Sequence, residues 1–177
     1  MVALPIRIYH FDTPASTHDW HPIDDAVMGG VSFSRLCFDS TGHAVFEGKV
    51  SLQNQGGFAS VRTSSLQLGC PETMGYLLCT WGDGKTYKLN LRNDSGFDRV
   101  TYQAAFTPAA DAWNQTFLPL TDFLPNFRGR LVHGAPSLRP EDVTQVGLMI
   151  SDQQAGPFRL QVKFIEAVTA LPFCLDR

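Results

Sequence analysis

The chain has 177 residues, 44% of them hydrophobic and 18% charged, enough to build a sizeable core and too apolar for a disordered chain. Its net charge is -3, from 14 basic and 17 acidic residues, with no Lys/Arg cluster, so it carries no electrostatic footprint for nucleic acid. No apolar stretch reaches the length of a membrane-spanning helix.

The opening Met1-Val2-Ala3-Leu4-Pro5-Ile6-Arg7 lacks the basic-then-apolar order of a secretory signal and the Arg- and Ser-rich look of a transit peptide. The cytosol is therefore the expected compartment. There, Cys37, Cys70, Cys79 and Cys174, none at C-x-x-C spacing, are expected to be small buried apolar side chains. A Cys70–Cys79 disulfide is conceivable only in an oxidising compartment.

Two glycine pairs among large apolar residues punctuate the first third: Asp24-Asp25-Ala26-Val27-Met28-Gly29-Gly30-Val31-Ser32 and Gln55-Gly56-Gly57-Phe58-Ala59-Ser60-Val61-Arg62. Neither resembles a flexible linker. Each calls for positive φ, or for backbone approaching another group too closely for a Cβ. They read either as tight corners of a β-protein or as part of a binding surface.

The dominant period along the chain is two, the mark of strands with one buried and one wetter face. Ser40-Thr41-Gly42 reads as a turn, followed by alternation through Ala44, Phe46, Val50 and Leu52. Asp83-Gly84, between Leu77–Trp81 and Thr86–Leu91, predicts a type I′ hairpin. Tyr87, Leu89 and Leu91 alternate with Thr86, Lys88 and Asn90. Asn93-Asp94-Ser95-Gly96 reads as a further turn before Val100, Tyr102, Ala104 and Phe106. Helix is scarce: one turn at Thr121–Leu124 and a short segment at Ser137–Asp142 with Ser137 as its N-cap. Val146, Leu148 and Ile150, then Phe158, Leu160, Val162 and Phe164, complete the set. Such patterning belongs to antiparallel sheets, and the expected class is an all-β sandwich or barrel over residues 1–177 as one domain.

The ordered series Trp20, Ile23–Ser32, Phe46–Leu52, Gly56–Arg62, Gly82–Tyr87, Tyr102–Phe106, Trp113, Leu118–Phe123, Phe127-Arg128-Gly129-Arg130 and Ile150–Phe158 resembles the complex I intermediate-associated protein 30 family over nearly the whole chain. The resemblance implies a jelly-roll β-sandwich of the galactose-binding-like kind. It also implies an assembly or chaperone role, since the mitochondrial members help build the membrane arm of respiratory complex I. Relatives occur in bacteria and plastids, and mitochondria join the cytosol as an expected location. Protein subunits of a larger complex are the implied partners.

Catalytic chemistry has little to work with. Asp24 and Asp25 are adjacent and, in an extended segment, point to opposite sides, a poor general acid–base pair. Asp12, His18, Asp19 and Asp24 lack the spaced pattern of a calcium loop. His10, His18, His21, His43 and His133 form no zinc pair, and no nucleophile elbow, P-loop or dinucleotide fingerprint appears. No enzyme, cofactor or metal is expected. Galactose-binding-like folds often bind sugar through aromatic platforms, for which Trp20, Trp81, Trp113, Tyr87, Tyr102 and Gln103 are candidates, although aromatics at strand spacing are more often core. Apolar anchors beside arginine instead suit a protein interface, whereas Arg62, Arg128 and Asp152 would also serve as internal ion pairs. The expected partner- or ligand-binding residues are Trp20, Asp24, Asp25, Met28, Gly29, Gly30, Asn54, Gly56, Gly57, Phe58, Arg62, Gln103, Phe127, Arg128 and Asp152. A carbohydrate-binding protein is the alternative reading.

Overall fold

Alternating side chains need a partner layer for their apolar phase, and two sheets provide it for each other. The computed structural model describes residues 5–64, 66–93 and 100–169. Its strands, in chain order, are β1 (Ile6–His10), β2 (Trp20–Pro22), β3 (Phe33–Asp39), β4 (His43–Val50), β5 (Ala59–Thr63), β6 (Gly75–Trp81) and β7 (Tyr87–Arg92). They continue with β8 (Thr101–Phe106), β9 (Trp113–Pro119), β10 (Leu124–Phe127), β11 (Arg130–Leu131), β12 (Gln145–Ile150) and β13 (Gly156–Val168). One sheet runs β3-β4-β13-β6-β9, with β1 also on β13; the other runs β11-β10-β8-β7-β12-β5-β2. These strand pairings are antiparallel.

Most of the expected apolar phases form one buried cluster between the sheets; Leu52 is instead exposed, and a register shift in β13 between Val162 and Phe164 brings Ile165 into the core in place of Phe164. Phe46, Tyr76, Leu78, Leu160 and Ile165 come from the first sheet, and Tyr87, Leu89, Leu91, Leu148 and Ile150 from the second. Phe158 packs 4.9 Å from Phe46, and Tyr87 lies edge-on to both rings. Tyr87 and Tyr102 thus face the core, not a ligand platform. Trp20 is also core, tilted or edge-on against Phe11 and Tyr9. Strict alternation fails in β4, where Val45 is buried on the outer phase. It shares a register row with Gln161 and Trp81 on a face where Trp113 meets Trp81 and His43 edge-on and Lys163 lies 4.2 Å over the Trp113 ring.

Three local expectations change. Asp83-Gly84 closes no hairpin, because β6 and β7 belong to different sheets. Only Gly84 has positive φ, whereas a type I′ turn needs it at both central residues. The Asp83 carboxylate instead fastens the crossing, accepting from the Lys85 N–H at 3.1 Å, the Tyr87 hydroxyl at 3.0 Å and the Arg159 N–H at 2.9 Å. The short helices at Leu120–Asp122 and Pro140–Asp142 are single 3-10 turns, and Arg139 rather than Ser137 occupies the N-cap of the second. Cys37 is exposed rather than buried, whereas Cys70 and Cys79 are the expected buried free thiols. The Ser40-Thr41-Gly42 turn does join β3 to β4, with Gly42 at φ 89 and its N–H on the Asp39 carbonyl. Asp94, Ser95, Gly96 and Cys174 lie outside the described residues.

Replacing Asp83 by alanine strands the hydroxyl of a fully buried Tyr87 and unfastens the crossing. The expected loss is about 2 kcal/mol, read as a lower midpoint in urea denaturation with an unchanged slope.

Candidate functional site

Each strand of the second sheet turns its other phase outward. One register row across that face runs Arg62, Gly147, Asn90, Gln103 and Leu124, on β5, β12, β7, β8 and β10. The next row holds Ser60, Met149 and Lys88. Apart from Leu124, these residues floor a groove of about 830 Å³ together with Arg92 and Thr101. The amides of Asn90 and Gln103 both approach the Met149 sulfur at 3.5 Å, and the Lys88 ammonium sits 3.0 Å from Asp152. Burial and the nearby Arg92 push the Arg62 guanidinium down to about 10.

The walls are turns. Val27, Met28 and Gln55–Phe58 stand at the β5 side, Phe127-Arg128-Gly129 at the β10–β11 side, and Ser151-Asp152-Gln153 beyond the end of β12. Arg128 and Gly129, at φ 49 and 78, make the two-residue turn between Phe127 and Arg130, which pair in register. Asn54 and Gln55, and likewise Asp152 and Gln153, are consecutive residues with φ of 54 to 62. Left-handed conformation disfavours all these side chains by about 1 kcal/mol each, and such strain collects where a fixed surface is required.

The two glycine corners form one unit, and Asp25 is the reason. Its side chain is 0% exposed. One carboxylate oxygen accepts the Ser32 N–H at 2.9 Å; the other accepts the Ser32 hydroxyl at 2.5 Å and the N–H groups of Gly57 at 2.8 Å and Phe58 at 3.4 Å. Burial works to raise the Asp25 carboxyl, but these hydrogen bonds outweigh it and hold the group below its ordinary value. A Cβ at Gly30 would stand 2.3 Å from one carboxylate oxygen and a Cβ at Gly56 2.5 Å from the other, so both glycines are there to admit Asp25. Gly29 and Gly57 meet the positive-φ requirement instead, at 87 and 144. Asp24 repeats the pattern one residue earlier, accepting from the N–H and hydroxyl of Ser34 and the N–H of Ser60. The Asn54 amide closes the unit by donating to the Gly29 carbonyl at 3.1 Å.

Of the residues expected from sequence, Met28, Gly56, Gly57, Phe58, Arg62, Gln103, Phe127, Arg128 and Asp152 line the groove together. Trp20, Asp24, Asp25, Gly29, Gly30 and Asn54 do not: they build the core or the double corner behind the wall. Lys88, Asn90, Arg92, Gly147 and Met149 were missed. Their signal was the polar phase of β7 opposite a glycine in β12, visible as alternation but not as a shared face.

Residues 9–162 match the family described as Complex I intermediate-associated protein 30. The chain belongs to that family. It is 27% identical over 89% of its length to an uncharacterised protein of Schizosaccharomyces pombe, covering 82% of that protein. A probable complex I intermediate-associated protein 30, mitochondrial, of Caenorhabditis elegans is 25% identical over 89% of the chain, which spans about half (52%) of that relative. A Neurospora crassa protein of the same name is 23% identical over 90% of the chain and 72% of its own length. The relatives whose names give a compartment are mitochondrial, which lends the expected cytosolic location no support. Among solved structures, the family 11 carbohydrate-binding module of a Clostridium thermocellum cellulosomal cellulase superposes with a TM-score of 0.72 at 12% identity, over 97% of this chain and 98% of that one. The same module with a mixed-linked tetrasaccharide gives 0.69 at 13%, over 96% and 98%. The fold is the galactose-binding-like β-sandwich.

Asp25→Asn turns an amide donor toward Ser32, Gly57 or Phe58 and is expected to cost about 2–4 kcal/mol in chemical denaturation. Because the folded-state carboxyl lies below its ordinary 3.8, its contribution is complete above that value and drains away as pH falls through it and below. The variant should therefore lose less stability than the parent between neutral and acid pH. Gln153→Gly, relieving a left-handed side chain at the groove wall, is expected to raise stability by roughly 0.5–1 kcal/mol in the same assay.

Proposed function

We propose that the chain acts as one non-enzymatic binding domain that holds a segment of a protein subunit in the groove during assembly of a multi-subunit, membrane-associated complex. Family membership supports the assembly role, and mitochondria are the favoured location because the named relatives are mitochondrial. The observation that carries the binding reading is the groove itself: a polar floor between walls of left-handed turns, four of whose non-glycine residues, Gln55, Arg128, Asp152 and Gln153, line the cleft. The adjacent carboxylates that would attract a catalytic reading, Asp24 and Asp25, spend their oxygens on serine and backbone donors.

The fold of the Clostridium modules favours a second reading, binding of a glycan. The lining argues against it. Sugar rings stack on broad aromatic faces, yet no Trp or Tyr lines this groove among the described residues: Trp20, Tyr87 and Tyr102 are core, and Trp81 and Trp113 lie on the other sheet. Phe58 and Phe127 are its aromatic lining.

Gentle purification of the tagged chain from its native organism, followed by mass spectrometry, is expected to recover subunits of one membrane complex. A Met28→Asp/Phe127→Asp variant, altered at two groove-wall side chains, should fold and lose them. Calorimetric titration with a mixed-linked β-glucan tetrasaccharide is expected to give no binding heat, and saturable heat would replace the protein reading with the glycan one.

A further inference from the structure

The chemistry of the groove floor goes further than its shape. In a chain of net charge -3, the described lining gathers Arg62, Lys88, Arg92 and Arg128 against Asp152. Lys88 and Asp152 offset each other at 3.0 Å. Arg62, Arg92 and Arg128 each have contacts of their own within the protein, so the signal is their concentration in one cleft. Arg62 feels it directly: burial and the neighbouring Arg92 both disfavour its charged form, which a further anion would favour. Gly147 sits in register between Arg62 and Asn90, too close to the Val61 carbonyl for a Cβ, so no side chain stands between them and a planar carboxylate above the sheet can reach the Arg62 guanidinium. Around this polar floor stand apolar side chains, with Val27 63% and Met28 61% exposed on one wall and Phe127 37% exposed on the other. A neutral sugar would relieve none of the charge and leave these apolar groups without partners.

We infer that the groove takes an extended acidic peptide segment, a carboxylate resting on Arg62 over Gly147 and its apolar neighbours against Met28, Phe58 and Phe127. This rests on the protein-binding reading and names the chemistry of the bound segment. From β5 to β10 the floor crosses strands ~4.8 Å apart, ~19 Å in all, the length of about six extended residues.

The test uses the full chain and fluorescein-labelled peptides of about eight residues, alternating Glu with Leu, Ser with Leu, or Lys with Leu. Fluorescence anisotropy is expected to show binding of the Glu-Leu peptide, weakened about tenfold or more when salt rises from roughly 20 to roughly 300 mM. Arg62→Gln should weaken it about tenfold or more, and Arg35→Gln, on the other sheet, less than about twofold. A thermal melt establishes that the Arg62 variant is folded. Amide shift mapping on the unaltered protein removes dependence on any variant: perturbations centred on Asn90, Gln103 and Gly147 support the inference, and perturbations on the β4–β13–β6 face overturn it. Equal binding of the Ser-Leu peptide in the groove overturns the acidic preference while leaving the protein reading standing. Binding of the tetrasaccharide with no peptide overturns both. No Glu-Leu binding at about 1 mM overturns the inference.

Discussion

A single buried carboxylate organises the rim of this sandwich. Asp25 reaches two loops that are neighbours neither in sequence nor in sheet order, gathering backbone and hydroxyl donors from Ser32, Gly57 and Phe58. A charge buried in this way is tolerable only because each oxygen is met by donors at close range; removing donors or carboxylate leaves the remainder stranded in a dry site. Space for the carboxylate exists because Gly30 and Gly56 have no Cβ. The acid and its two glycines are thus one device, and the positive φ of Gly29 and Gly57 lets the chain turn away on either side of it.

The groove depends on that device. Gln55–Phe58 enter the lining just before β5 begins, and the preceding Asn54 is tied back to the Gly29 carbonyl. Val27 and Met28 stand out from the same corner because Asp24 and Asp25 turn inward, leaving the outward positions to apolar side chains. Across the sheet, the Arg128-Gly129 turn fixes Phe127 and Arg128 in a comparable way, with the Arg128 guanidinium 5.2 Å from the Phe127 ring centroid. The cleft is therefore bounded on both sides by turns whose backbone is set by left-handed residues.

Much of the sheet pattern was readable because burial imposes its own period. Tyr87, Leu89 and Leu91, or Val146, Leu148 and Ile150, leave no doubt which phase is dry. What sequence could not supply was the identity of the neighbour. Asp83-Gly84 has good hairpin chemistry, but turn propensity says nothing about which sheet the next strand joins, and the carboxylate found a donor in Arg159, far along the chain. Lys88 and Asn90 were visible as a wet phase. That this phase faces Gly147, Arg62 and Gln103 across three strand pairings is a property of strand order, which no local pattern encodes.

The same reasoning explains why the adjacent aspartates were read as surface candidates. Two carboxylates in a glycine-rich loop look solvated until their donors are known, and those donors are Ser32 and Ser34, two residues apart in chain and served crosswise by Asp25 and Asp24. An Asp-Asp pair followed within ten residues by Ser-x-Ser therefore supports a structural assignment when glycines lie close enough to make room. Once both acids are assigned inward, the polar balance of the outer surface changes. Asp25 is buried and Asp24 half-buried, each turned to serine and backbone donors, so the charged side chains that line the described floor and walls are Arg62, Lys88, Arg92 and Arg128 against Asp152. The element that stabilises the rim thereby also places Gly56, Gly57 and Phe58 in the groove wall, and corner and cleft are joined at Asp25.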